Sequence, residues 1–141
     1  EVADDMGGLT ISTFGGNPVS TEAARATIDV IVSEELVHNS ELAGAHLRGR
    51  LEELRARFPI IGDVRGMGLM QALELVGEKK RPAPGAVNRV FEETRKRGLL
   101  IGKGGIHGNT IRITPPMNID AADIDRAVDI LRDSFEGVRA D

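Results

Sequence analysis

"IIGDVRGMGLMQALELV", residues 60–76, decides the fold. Its apolar residues Ile61, Val64, Leu69, Leu73 and Leu75 fall in short runs broken by Gly62, Gly66 and Gly68. Runs this short, with glycine where a turn or bulge needs it, predict two strands around a tight glycine turn, a hairpin or bulged ribbon. Upstream, Leu42, Leu47, Leu51, Leu54 and Phe58 predict the buried side of a helix that Pro59 stops. Downstream, "GEKKRPAPG" (77–85) reads as a solvated loop. A helix from about Gly85 then presents Val87, Val90, Phe91 and Thr94, and Gly98 is placed to end it in the left-handed conformation.

Beyond that helix, "LLIG" (99–102) and "TIRIT" (110–114) predict strands flanking the glycine loop "GKGGIHGN" (102–109). The last helix is the best specified. Asp120 is its cap, Asp123 answers three residues on, Ile119 can staple to Ile124, and Ile124, Ala127, Val128, Leu131 and Phe135 form its apolar stripe. At the other end, residues 1–16 read as a strand end or loop. Asn17 is a good N-cap, Pro18 suits a first helical turn, and Ala24, Ile28, Ile31, Val32 and Leu36 carry a helix to about Glu35. Two helices, a hairpin, a helix, a strand pair and a helix make an α/β domain with a small, largely antiparallel sheet packed with helices.

Composition narrows the function. A net charge of −4 argues against nucleic acid, which needs clustered Lys and Arg. No apolar run approaches a membrane span, no signal-peptide pattern opens the chain, and zero cysteines exclude disulfides and thiolate metal sites. A cytoplasmic protein is expected. The chain opens on Glu1 within ordinary-looking sequence, which suggests a fragment of something longer. It has no Trp, no Tyr and four Phe, so an aromatic platform for a planar ligand would come mostly from elsewhere.

Two stretches carry candidate chemistry. In "STFGGNP" (12–18), Gly15 and Gly16 allow several backbone N–H groups to converge just before a helix N-terminus, a setting for phosphate, and Ser12 or Thr13 can add a hydroxyl. The same glycines equally serve a helix-entry turn. Arg112 alternates with Ile111 and Ile113 and so faces away from both, beside the rigid Pro115–Pro116 corner. A guanidinium there can grip a carboxylate in bidentate fashion, or simply be solvated on an open sheet face. "GKGGIHG" is no dinucleotide loop, because a β-rich stretch rather than a helix follows it. Lys103 in that loop lacks the desolvated setting of a Schiff-base amine. His38, His46 and His107 lack ligand spacing, so no metal site is expected, and no carboxylate pair presents itself. Arg65 is expected to help set the hairpin turn.

Three stretches together, "STFGGNP", "IIGDVRGMGLMQALELV" and "GLLIGKGG…NTIRITPPMNI", resemble the C-terminal portion of the class III, pyridoxal-phosphate-dependent aminotransferases, in order and separation and over essentially the whole chain. The similar branches are alanine–glyoxylate (type 2), ornithine, acetylornithine and 4-aminobutyrate aminotransferases. The resemblance implies the small C-terminal domain of a fold-type I transferase, with residues 1–16 ending the large cofactor-binding domain and 17–141 forming an interdomain helix and the small domain. It implies that Thr13, supported by Ser12, Gly15 and Gly16, contacts the phosphate of pyridoxal 5'-phosphate in the neighbouring subunit of a homodimer. It implies that Arg112 binds the carboxylate of amino-acid and keto-acid substrates. The family's Schiff-base lysine lies upstream of its "TFGG" motif, and none of Lys79, Lys80, Lys96 and Lys103 matches it. The chain alone is therefore expected to be inactive. Many members carry a histidine three residues before the threonine, where this sequence has Thr10, which leaves the branch open. A decarboxylase, aminomutase or racemase of the same architecture, and a non-catalytic binding domain, are the alternatives.

Overall fold

The computed structural model describes residues 13–139, and the chain divides into two units, Glu1–Glu34 and Glu35–Asp141. The first unit holds helix α1 (Pro18–Ser33). Asn17 caps it: its side-chain oxygen accepts from the Ser20 N–H at 3.0 Å, and Pro18 occupies the first turn, where no N–H is needed. None of its residues is buried. The helix stops at Ser33, so Leu36 does not belong to its stripe as expected but starts the next element, after Glu35 in a left-handed conformation (φ 51°).

In the second unit, α2 (Leu36–Arg57) buries Ala43, Gly44, Leu47, Leu51 and Leu54, while Leu42 is exposed. The expected stripe is corrected at that one position. Leu42 precedes Leu47 by five residues, a rotation of about 140° away from it, whereas Ala43 is one turn back on the same face. The helix ends at Phe58, whose N–H reaches Leu54 O at 2.8 Å before Pro59.

Strands β1 (Ile61–Met67) and β2 (Met70–Leu75) form the expected hairpin. Their register shifts between Ile61 and Asp63, so Ile61 and Val64 both face inward although three residues apart. Gly62 sits in that bulge because a side chain there would meet Val76 at 2.7 Å. After a short 3₁₀ turn (Glu78–Lys80), α3 (Pro84–Lys96) buries Ala86, Val87, Val90 and Thr94 and ends at Gly98 (φ 83°).

Strands β3 (Gly102–Gly104) and β4 (Thr110–Ile113) complete a sheet of order β1-β2-β4-β3, antiparallel throughout. The strand expected at Leu99–Gly102 is displaced. Leu99 N–H is still closing α3 onto Thr94 O at 2.9 Å, and pairing with β4 begins only at Gly102 opposite Arg112. The first three residues of the expected glycine loop are thus strand, and the turn proper closes from Gly105 to Gly108.

Helix α4 (Ala121–Arg139) follows the capping residue Asp120, whose carboxylate accepts from the Asp123 N–H at 2.8 Å. Asp123 does not complete a capping box; its carboxylate lies 3.5 Å from Arg126. Helix α2 packs along β1, α3 against β2, β3 and β4, and α4 against α2 and α3. The core joins Leu47, Leu51 and Phe58 to Leu73, Leu75, Ile111, Val90, Ile124 and Phe135, with Phe58 and Phe135 stacked at 5.3 Å. Burying one such Leu or Phe contributes about 1.5–3 kcal/mol. The opposite sheet face carries Asp63, Arg65, Glu74 and Arg112.

Candidate functional site

Strand β4 alternates as expected. Ile111 is fully buried and Arg112 emerges on the open face. Its direct cross-strand neighbours are Ala72 on β2 and Gly102 on β3, two of the smallest residues available. Neither crowds a long side chain. No hydrogen bond or ion pair reaches the Arg112 guanidinium from the described residues. A permanently charged fork with five donors therefore stands without a partner of its own.

Past β4 the chain turns at Thr114–Pro115–Pro116, and two devices hold that corner. Ile119 N–H bonds Pro116 O at 3.1 Å. Asn39, on the second turn of α2, donates its amide to Met117 O at 2.6 Å and Ile119 O at 3.1 Å. Beside the corner lies a cleft of about 530 Å³ whose lining includes Arg112, Leu99, Ile101, Pro116, Ile119 and Ile124. Asp123 also reaches it but is paired with Arg126, as noted above. An apolar cleft bordered by an arginine with no partner among the described residues suits a small molecule bearing a carboxylate on a short apolar stem.

The second candidate lies in the first unit. Ser12 is outside the described residues. Thr13, Gly15 and Gly16 are exposed and contiguous, with Gly16 left-handed (φ 75°) and open space where a side chain would stand. Asn17 folds the segment back by donating to Phe14 O while capping α1. No acidic residue occupies the first turn of α1, so its dipole is unopposed there, while Pro18 has no N–H and the Ser20 N–H is taken by Asn17. A threonine hydroxyl, glycine backbone with no side chain in the way and the positive end of a helix dipole are features that suit a phosphate. The structure groups Thr13, Gly15 and Gly16 in one unit and Arg112 in the other.

The lysines offer nothing comparable. Lys96 pairs with Glu93 at 2.8 Å. Lys103 donates to Asn88 Oδ1 at 3.0 Å and lies 4.6 Å over the Phe91 ring. Lys79 and Lys80 are exposed. None is the desolvated amine that carbonyl chemistry requires. Among the described residues no cluster of three metal-binding side chains occurs. His46 bonds Asp125 at 2.9 Å.

Arg65 corrects the sequence reading. It lies within β1, not at the turn, and its Nη1 bridges Asp63 at 3.0 Å and Glu74 at 2.6 Å. Its bonds to Asp63 and Glu74 raise its pKa further above the usual arginine value. The turn proper is Gly68–Leu69, with Gly68 left-handed (φ 51°), whereas Gly66 still pairs with Gln71 inside β1. Asn39, Ala72 and Gly102 were not singled out from sequence. Their parts depend on partners 30 or more residues away or on strand register, and no local pattern announces them.

Against known proteins, the family model described as class-III aminotransferase matches residues 2–135. The mitochondrial alanine–glyoxylate aminotransferase 2 homolog 2 of Arabidopsis thaliana is 43% identical over 122 residues, 85% of this chain and 26% of that protein. The alanine/serine racemase of Pyrococcus horikoshii is 39% identical over 131 residues, 93% of this chain and 28% of the relative. The crystal structure of a Bacillus anthracis aminotransferase superposes with a TM-score of 0.85 at 31% identity, covering 91% of this chain and 30% of that one. The chain thus spans about a quarter to a third of the length of these relatives.

Proposed function

This chain belongs to the class-III aminotransferase family, whose cofactor is pyridoxal phosphate, and on that premise we propose that it forms the substrate-carboxylate grip and a phosphate contact of a longer enzyme moving amino groups from amino acids to 2-keto acids. Residues 1–16 would close its cofactor-binding domain and 17–141 would form the connecting helix and small domain. The single observation that carries the reading is Arg112, partnerless among the described residues, exposed on the open sheet face and among the residues that border the apolar cleft.

Donor and acceptor share one feature, a carboxylate beside the reacting carbon. One bidentate grip by Arg112 therefore orients both, converting encounter into a fixed approach. The Asn39-anchored proline corner keeps the cleft wall in place while substrates exchange. The Thr13 hydroxyl would donate to a phosphate oxygen, and the Gly15 and Gly16 backbone would allow its close approach because no side chain intervenes. We assign this contact to the neighbouring subunit's cofactor in a homodimer. Pyridoxal phosphate, when bound, supplies the electron sink for cleaving a bond at the substrate α-carbon. Its amine-bearing lysine is contributed by sequence outside residues 1–141, so this chain alone is inactive. A cytoplasmic setting goes with the absence of cysteine. No helix among the described residues is long and apolar enough to cross a membrane.

The test is isotopic. Full-length protein with pyridoxal phosphate, ¹⁵N-labelled L-alanine and glyoxylate should yield ¹⁵N-glycine. The racemase relative supports a second reading, in which the same carboxylate grip serves inversion. Formation of D-alanine with no label leaving alanine would select it and refute amino transfer.

A further inference from the structure

We propose that Gly102 is a positioning residue for Arg112, holding its guanidinium at the cleft by having no side chain. The proposal rests on the reading of Arg112 as the carboxylate grip. Gly102 and Arg112 are direct register partners between β3 and β4. A methyl group on Gly102 would lie 3.2 Å from Arg112 Nε, 3.4 Å from its Cβ and 3.4 Å from Nη2. The arginine therefore lies along the Gly102 backbone, from its root to its fork. With Ala72 on the other side, it occupies a channel between two minimal neighbours.

Backbone strain does not explain the glycine, since Gly102 is not among the residues at positive φ. Gly104, two residues on and so on the same face, has open space where a side chain would stand. Strand β3 is held on its other side as well. Lys103, pointing to the opposite face, ties β3 to α3 through Asn88 and the Phe91 ring. A side chain at Gly102 would push the guanidinium rather than the strand. An exposed arginine otherwise samples many rotamers, and a backbone shelf removes some of them before substrate arrives.

Single-turnover donor half-reactions of the full-length protein, followed by cofactor absorbance, test this. L-alanine is compared with isopropylamine, in which a methyl replaces the carboxylate. Gly102→Ala should raise the half-saturating L-alanine concentration about 3- to 10-fold and Gly102→Val up to about 100-fold, the penalty of a misplacement near 1 Å. Isopropylamine should shift less than twofold, and so should the maximal rate. Gly104→Ala should change neither donor. In an Arg112→Gln background, Gly102→Ala should add nothing further, because the two act as one unit. Equal weakening of both donors by Gly102→Ala, no effect of either Gly102 variant on L-alanine, or full additivity with Arg112→Gln would overturn the positioning role. If Arg112→Gln itself leaves the preference between the donors unchanged, or the wild type turns over neither, the carboxylate reading fails instead.

Discussion

Adding one methyl group to α2 at Gly44 should destabilise the domain, although alanine is the better helix former. At that position a Cβ would lie 2.2 Å from the carbonyl carbon of Gly68, 2.4 Å from its oxygen and 2.5 Å from its Cα. All three atoms are backbone of the hairpin turn, so no side-chain rotation relieves the clash. An ordinary carbon contact needs about 3.5 Å, so the turn would have to retreat by roughly 1.3 Å. Overpacking of this kind costs about 1–3 kcal/mol and sometimes more. The intrinsic gain of Ala over Gly in a helix offsets about 1 kcal/mol of it. With rigid backbone on both sides the upper end applies, and Gly44→Ala should lose about 2 kcal/mol net. Gly49, five residues along the same helix, has nothing within 4 Å, so Gly49→Ala should gain about 0.5–1 kcal/mol. Urea unfolding of the 141-residue chain at low micromolar concentration, followed by far-ultraviolet circular dichroism, reads both. Equal stabilisation by the two alanines would refute the close crossing of α2 and the β1–β2 turn.

Two further outcomes follow from local geometry. Hydrogen bonds from Lys96 and then Arg97 hold the Glu93 carboxyl at about 2, below its ordinary 4.5. A depressed folded-state value means stabilisation is present above pH 4.5 and lost as pH falls towards 2. The melting-temperature gap between wild type and Glu93→Gln should therefore close across that window and shrink with salt; a gap independent of pH would contradict it. Asn39→Ala removes both donors from the Met117 and Ile119 carbonyls and should cost about 1–3 kcal/mol, read as a lower urea midpoint. An unchanged midpoint would mean that α2 does not anchor the proline corner.

Much of the fold was legible because its signals are local. The glycine-broken runs of 60–76 announce a hairpin, Asn17–Pro18 and Asp120 announce helix starts, and Gly98 announces a stop. What was not legible depends on pairing. Strand β3 is Gly-Lys-Gly, a stretch with no strand propensity of its own, and it is strand only because β4 lies beside it. Leu99 and Ile101 looked like strand residues, yet they pack against the core while the chain is still leaving α3. Leu42 was assigned inward on hydrophobicity, and helical rotation places Ala43 there instead. Arg65 sits between Gly62 and Gly66 in sequence and so looks like a turn residue, but β1 and β2 continue past it and give it Asp63 and Glu74. At the site, alternation alone placed Arg112 on the face opposite Ile111. The small neighbours that leave it room, Ala72 and Gly102, follow from a register that sequence does not state. The "TFGG" glycines stand directly before the Asn17 cap of α1, where the sequence puts them.

The most direct test of the account is to locate the cofactor-bearing amine in the full-length protein. The protein is loaded with pyridoxal phosphate, reduced with borohydride, digested and mapped by mass spectrometry. The account predicts a single pyridoxyl-lysine in sequence outside residues 1–141, with Lys79, Lys80, Lys96 and Lys103 unmodified. A label on any of those four, or no labelled lysine anywhere in the protein, would contradict it.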